Sequence, residues 1–385
     1  MIQEQTIKES LNKLKKYIEK EEYKGYDPYD ALKSPLFRLP ILKNNKLIRF
    51  GTQQLVKRIP FSIRPLLAVP KGYNPVTLGL SIQAYAYLHK VELENRIDYL
   101  QKICFLVDEL KKLIPEGYSG ACWGYDFDWE ARHAKIPAYQ PTVVATGIIT
   151  NALFIAYQNT GHKETAILVE SAAKFVEKDL QRTYKGEGFC FSYSPFDKQQ
   201  VFNASMKGAR LLAQAYSLSK NENYKKLAKQ AVEFVVSHQK EDDSWGYSLA
   251  NAGGWTDNYH TGYVLDCIDE YQKLTKDLSY SENIKKGYSF YINHFIAENG
   301  APKFYHNNLF PIDCTAASQT ILTTLRFGDS DIANNVAAFM ENNMQKQNGS
   351  FKFRKFKNYT IKTSFMRWSD AWMFAALANL KMNLS

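Results

Sequence analysis

From residue 75 onward the chain repeats one unit, and this repetition limits the fold more than any other feature. Short aromatic stretches recur: Gly120-Ala121-Cys122-Trp123-Gly124-Tyr125, Gly188-Phe189-Cys190-Phe191-Ser192-Tyr193, Ser244-Trp245-Gly246-Tyr247, Gly300-Ala301-Pro302-Lys303-Phe304-Tyr305 and Gly349-Ser350-Phe351-Lys352-Phe353. Each leads into an apolar helical run. The landmarks at the helix starts, Thr77, Thr142, Asn203, Tyr259, Thr315 and Ser369, recur every 54 to 65 residues. That interval holds one helical hairpin, which cannot bury its apolar faces alone and must stack on its neighbours.

The periodicity predicts helix pairs over 75–90 with 92–114, 141–158 with 163–182, 202–219 with 221–239, 259–275 with 280–297, and 314–327 with 330–345. A last helix over 366–383 has no following partner. The first helix, over 3–22, has Ile7, Leu11, Leu14 and Ile18 on one face and can supply it. Twelve helices in six pairs predict an all-α (α/α)6 toroid spanning residues 1–385 as one domain. Residues 25–74 break the rhythm with Pro28, Pro35, Pro40, Pro60, Pro65 and Pro70. They read as an irregular crossing segment with one helical turn.

In such a toroid the first helices of the pairs form an inner barrel, and the aromatic loops gather over their N-termini. Helix N-termini carry unsatisfied N–H groups and partial positive charge, so the rim is expected to favour anionic or hydroxyl-rich ligands. The chain has 25 Tyr, 23 Phe and 6 Trp. Rings of this kind either pack helices or line a cleft.

Charge and cysteine usage narrow the partners. The net charge of +10 points to acidic partners, with denser basic patches at Lys46–Arg64 and Lys352–Arg367 suited to peripheral membrane contact. No nucleic-acid motif is present. The five Cys form no CxxC pair, so reduced thiols and a cytoplasmic location are expected. The start, Met1-Ile2-Gln3-Glu4-Gln5, does not read as a signal peptide. Zinc spacings, phosphate-binding glycine loops and dinucleotide fingerprints are missing, so no metal and no cofactor are expected.

Chemistry concentrates in the first aromatic loop. Asp126, Asp128 and Glu130 alternate, so an extended loop would turn all three to one side. Paired carboxylates suit glycoside chemistry, and His133 suits proton transfer. Trp123, Tyr125, Trp129 and Tyr139 are candidate sugar platforms, and Arg132 a candidate anion fork. A second cluster, Asp257-Asn258-Tyr259-His260, opens an inner helix, with Asp257, Tyr259 and His260 as acid/base candidates and Asn258 as a binding candidate. A third holds Arg367, Trp368 and Asp370, with Arg367 and Asp370 spaced to pair on one helix face. Tyr193, Asn203, Trp245 and Asp313 complete the expected rim. For each acidic residue the structural alternative is a helix cap or an ion pair with Arg.

The run Cys122-Trp123-Gly124-Tyr125-Asp126-Phe127-Asp128-Trp129-Glu130-Ala131-Arg132, followed by Pro141-Thr142-Val143-Val144-Ala145-Thr146, resembles the signature loop of bacterial exopolysaccharide-biosynthesis proteins of the VpsJ type. Arg367-Trp368-Ser369-Asp370-Ala371-Trp372 fits the same family. The resemblance implies a six-hairpin toroid working on surface polysaccharide, and no particular reaction. The architecture is also similar to uronyl C5-epimerases, polysaccharide lyases and unsaturated glucuronyl hydrolases, and to terpene cyclases and prenyltransferases. Asp126-Phe127-Asp128-Trp129 departs from the cyclase Asp-x-Asp-Asp pattern, and the prenyltransferase Asp-x-Cys is missing. Three readings follow. The first is an enzyme of hydrolase, lyase or epimerase type acting on an oligo- or polysaccharide, acidic and lipid-linked forms included. The second is a non-catalytic glycan-binding or assembly protein. The third and more remote is an isoprenoid enzyme.

Overall fold

The computed structural model describes residues 2–130, 135–250 and 253–384. Its helices in chain order are α1 (Ile2–Lys20), α2 (Pro40–Asn44), α3 (Lys46–Arg58), α4 (Pro75–Val91), α5 (Arg96–Lys112), α6 (Val143–Thr160), α7 (Lys163–Lys178), α8 (Phe202–Ser219), α9 (Glu222–Val236), α10 (Asn258–Thr275), α11 (Ser281–Phe295), α12 (Cys314–Arg326), α13 (Ser330–Met344) and α14 (Trp372–Leu384). A π-helical turn at Met366–Ala371 leads into α14.

The even-numbered helices from α4 to α14 form a closed inner ring: each packs on the next, and α14 returns to α4. Each of α5, α7, α9, α11 and α13 covers the inner helix before it, and α1 covers α14 and α13. This is the (α/α)6 toroid. Burial follows the layers. In α4 every residue from Pro75 to Leu88 is buried, as expected of a helix enclosed all round. The outer α9 buries only one stripe, including Tyr224, Leu227, Ala231 and Val235.

The repeats are joined at the rim through orphan helix donors. Val143 N–H, at the start of α6, donates to the Tyr193 carbonyl at 3.0 Å in the loop of the following repeat. Phe202 donates to Tyr247 at 3.1 Å, Asn258 to Phe304 at 2.9 Å, and Cys314 to Phe353 at 3.2 Å. Met366, leading into α14, donates to Tyr26 of the crossing segment at 3.1 Å. Each of these inner helices therefore begins on a carbonyl of its neighbour's aromatic loop. At each of these starts one of the helix's orphan N–H groups is thus taken by a protein carbonyl.

The crossing segment is more helical than expected. It contains α2, α3 and two 3₁₀ turns, Asp30–Lys33 and Pro35–Arg38. The pattern of α3 obscured it: Arg49, Gln53 and Val56 point inward, while Leu47 and Leu55 are exposed. The loops also carry small antiparallel sheets. These are β1 (Trp129–Glu130) with β2 (Lys135–Ile136), β3 (Arg182–Lys185) with β4 (Gly188–Phe191), and β5 (Ile312–Asp313), β6 (Arg354–Lys355) and β7 (Thr360–Ile361).

Trp123 and Trp245 hold the loops to the outer helices. Both rings are buried, and their Nε1 groups donate to the carbonyls of Leu110 (2.9 Å) and Val235 (3.0 Å), near the ends of α5 and α9. The expectation that they are sugar platforms is corrected, since neither ring has surface left for a ligand. Trp123→Ala is expected to destabilise the protein by about 3–5 kcal/mol, read as a lowered midpoint in urea denaturation.

Candidate functional site

The aromatic loops and the first turns of the inner helices enclose a cavity of about 270 Å³ at the loop end of the ring. Tyr125, Phe127 and Trp129 come from the loop before α6, Tyr193 from the loop before α8, and Tyr247 and Trp255 from the loop before α10. Tyr259, His260 and Tyr263 lie on the first turns of α10; Arg367, Trp368 and Trp372 lead into and begin α14. Tyr29 enters from the crossing segment and stands edge-on to both Trp129 (6.1 Å) and Trp368 (5.9 Å). Asn203 and Thr315 add polar edges, and the Asn203 Oδ1 has no hydrogen-bond partner.

One residue of this lining, His260, is held by a carboxylate behind it. Asp257 is the N-cap of α10, and its Oδ1 accepts the His260 backbone N–H at 2.9 Å. Its Oδ2 lies 2.7 Å from His260 Nδ1. A buried carboxylate at Nδ1 places a ring proton there and orients the imidazole. Among the described residues Nε2 has no hydrogen-bond partner. The ring is held by Tyr259 (4.1 Å between centroids) and Tyr247 (4.7 Å), and Tyr247 stacks on Trp255 at 4.6 Å.

The tyrosines are neutral hydrogen-bonding groups. Burial pushes the Tyr193, Tyr259 and Tyr263 hydroxyls well above the ordinary phenol range, and raises Tyr125 as well. They can donate to a ligand oxygen but are poor bases. Arg367 lies 4.8 Å from the centre of the Tyr125 ring. Its Nε and Nη2 hold Asp27 at 2.6 and 3.0 Å. Its charge is therefore already matched.

The acidic run of the first loop lies elsewhere. Asp126 takes Lys33 at 2.7 Å and Asn74 at 2.6 Å. Arg49 bridges Asp128 (3.1 Å) and Glu130 (2.8 Å), and Ala138 N–H also donates to Asp128. None of the three carboxylates lines the cavity. The expectation that they act on substrate there is corrected: they bind the crossing segment to the loop. Gly124 allows this loop its path, because a Cβ would stand 2.1 Å from the Gln140 carbonyl. Arg132 and His133 lie outside the described residues.

Other expected members are structural. Asn258 is buried, donating to Thr320 Oγ1 (3.0 Å) and accepting from the Tyr291 hydroxyl (2.7 Å). Asp313 caps α12 and pairs with Arg354 at 2.6 Å. Asp370 accepts Phe351 N–H at 2.8 Å and the Ser364 hydroxyl. The expected Arg367–Asp370 pair is thus replaced by Arg367–Asp27. Tyr139 is exposed and lies outside the cavity lining.

Several lining residues escaped the sequence reading. Tyr263 and Trp372 sit four residues after Tyr259 and Trp368, one helical turn deeper, and that spacing could have found them. Tyr29 and Asp27 carry no local signal. Beyond Ile148, Tyr263 and Trp372, a polar cavity of about 300 Å³ occupies the other end of the ring, with Lys207, Arg210, Asp266 and Arg326 in its wall. Among the described residues no three His, Cys, Asp or Glu side chains gather as a metal site.

No family model and no curated protein sequence matches the chain. Solved structures do. An unsaturated glucuronyl hydrolase specific for heparin is 14% identical with a TM-score of 0.63, over 100% of this chain and 98% of its own. A sugar epimerase from a ruminal bacterium is 13% identical with a TM-score of 0.63, over 83% and 90%. A cellobiose 2-epimerase from Bacillus thermoamylovorans is 12% identical with a TM-score of 0.60, over 81% and 88%. At these identities the likeness shows the shared fold.

Two stability predictions follow from the charged groups around the cavity. Asp27→Ala leaves Arg367 buried without its partner and is expected to cost about 3–5 kcal/mol, measured by urea denaturation. Burial raises the Asp370 carboxyl to about 7, above the unfolded value of about 3.9. The folded state then keeps a proton that the unfolded chain releases. Stability from this group is full below pH of about 4 and is lost as pH rises through about 7. Asp370→Asn removes the dependence, so urea midpoints of wild type should fall relative to the variant across that window.

Proposed function

We propose that the protein is a carbohydrate-active enzyme that moves a proton on a small neutral sugar unit, as an epimerase or isomerase does, within surface-polysaccharide synthesis. One observation carries the reaction type: the cavity presents His260, oriented by Asp257 through Nδ1, and no carboxylate lines it among the described residues. Hydrolysis by the usual mechanism needs two carboxyl groups flanking the scissile bond. Proton abstraction beside a carbonyl needs one base and neutral donors for the developing oxyanion. His260 Nε2 would take the proton from the carbon next to the open-chain carbonyl. The protonated Tyr259 or Tyr263 hydroxyl would donate to the enolate oxygen. Return of the proton to the same carbon, after the enediolate has turned its other face to His260, gives the epimer; its delivery to the neighbouring carbon, with the 2-hydroxyl proton passing to the oxygen on that carbon, gives the isomer. Asp257 stabilises the imidazolium in between. No redox step is required.

The aromatic walls suit the apolar faces of a sugar ring. At about 270 Å³ the space is at the small end of ligand pockets. A neutral sugar fits better than a uronate, because Arg367 is committed to Asp27 and the neighbouring helix N-termini are capped by loop carbonyls. Support for the polysaccharide context is the resemblance of the Cys122–Arg132 loop to exopolysaccharide-biosynthesis proteins. Solved structures that share this fold include a cellobiose 2-epimerase and a sugar epimerase, in keeping with this reading.

The test is proton NMR in D2O with neutral reducing mono- and disaccharides. Loss of the proton next to the anomeric carbon, with appearance of an epimer or ketose, is expected. His260→Asn should slow it by about 10²–10⁴-fold, while Asp128→Asn keeps most of the rate. Full exchange in His260→Asn would overturn the assignment. Line broadening of the sugar with no exchange in wild type would favour the non-catalytic binding reading instead.

A further inference from the structure

The crossing segment is inside out. On α3 the inward face is polar: Arg49 pairs with Asp128 and Glu130, and the Gln53 amide donates to the carbonyls of Tyr29 and Asp128. Its outward face is apolar, with Leu47 82% and Leu55 62% exposed. The short elements before it continue this surface. Ile41 is 81% exposed, Leu36 and Leu39 are about half exposed, and α2 packs against both α3 and the Pro35–Arg38 turn. After α3 come Phe61 and Leu66, the latter 86% exposed. Elsewhere exposed apolar side chains are fewer: Leu93, Ile97 and Phe105 lie before and on α5, while Ile167 and Leu278 sit apart from one another in the chain. Adjacent exposed side chains of this size mark an interaction surface.

Charge selects the partner. Between Asp30 and Glu92 the chain has no acidic residue. Lys33, Arg49 and Arg64 of this stretch are turned inward onto Asp126, Asp128, Glu130 and Asp30. Arg38, Lys43 and Arg58 remain exposed among the apolar side chains. A surface that combines apolar side chains with unopposed positive charge matches the interface of an anionic bilayer, where both attractions act together. Among the described residues no helix is long and apolar enough to cross a membrane.

We infer that residues 36–66 are a membrane-docking face that seats the protein on anionic lipid. The face adjoins the functional cavity. A recess on the flank of α3 is lined by Phe50, Lys57 and Arg58 together with Tyr29 and Trp129, and these last two also wall the aromatic cavity. Docking would hold that side of the ring near the bilayer. The inference is independent of the reaction proposed for His260.

The test is co-sedimentation of the full chain with phosphatidylcholine vesicles, with and without phosphatidylglycerol, at low and high salt. Wild type is expected to sediment with the phosphatidylglycerol vesicles and to release at high salt. The double variant Leu47→Ser with Leu55→Ser should lose roughly tenfold or more in partitioning. Lys43→Glu with Arg58→Glu should lose the preference for phosphatidylglycerol. All four side chains are exposed, so unchanged circular dichroism is expected of both variants. Wild type left in the supernatant with anionic vesicles at low salt would overturn the inference, as would equal binding by the serine variant. Light scattering that shows a wild-type dimer, dissolved by the serine substitutions, together with no vesicle binding, would assign the face to a second copy and overturn it as well.

Discussion

The rim depends on one recurring interaction: an inner helix starts on a backbone carbonyl that belongs to its neighbour's aromatic loop. The first N–H groups of a helix have no partner inside it, and leaving them buried and unmet is costly. Val143, Phe202, Asn258 and Cys314 meet this need with Tyr193, Tyr247, Phe304 and Phe353. The bonds fix where each loop crosses its neighbour, and so where its aromatic side chains point. They also give one N–H group at each of these helix starts a protein partner. The result is a lining that is aromatic and hydroxyl-rich with little net charge, which suits neutral sugar.

Ring closure extends the same logic to the ends of the chain. The last inner helix has no successor, so α1 covers its outer face and Tyr26 supplies the carbonyl for Met366. Asp27, beside Tyr26, then neutralises Arg367 under the cavity. The crossing segment thus stands in for a missing aromatic loop. It also takes up the acidic residues of the first loop through Lys33 and Arg49. Spending its polar groups inward leaves it an apolar and basic outer surface.

The fold was legible because helical hairpins of this kind have strong periodicity and because aromatic loops recurred at near-constant spacing. The inner helix over 202–219 agrees with α8 residue for residue. The lining of the candidate cavity was only half legible. Tyr259, His260, Arg367 and Trp368 sit at helix starts, where topology alone places them on the rim. Asp126, Asp128 and Glu130 misled because density of charge in a sequence does not say which partner will claim it; here the charged partners, Lys33 and Arg49, lie far upstream in the crossing segment. Trp123 and Trp245 misled because a loop tryptophan and a core tryptophan look alike until the outer helix ends are placed beneath them. The missed α3 has an outward apolar stripe, the reverse of what a buried-face reading seeks.

The account rests on His260 standing in the cavity with Nδ1 held by Asp257 and Nε2 turned to a sugar. Nitrogen-15 NMR of the histidine side chains tests this directly. The prediction is an Nδ1–H tautomer for His260 in the free protein, with an Nε2 resonance that moves when a neutral reducing sugar is added. An Nε2–H tautomer, or an Nε2 resonance unmoved by saturating sugar that is otherwise seen to bind, would contradict it.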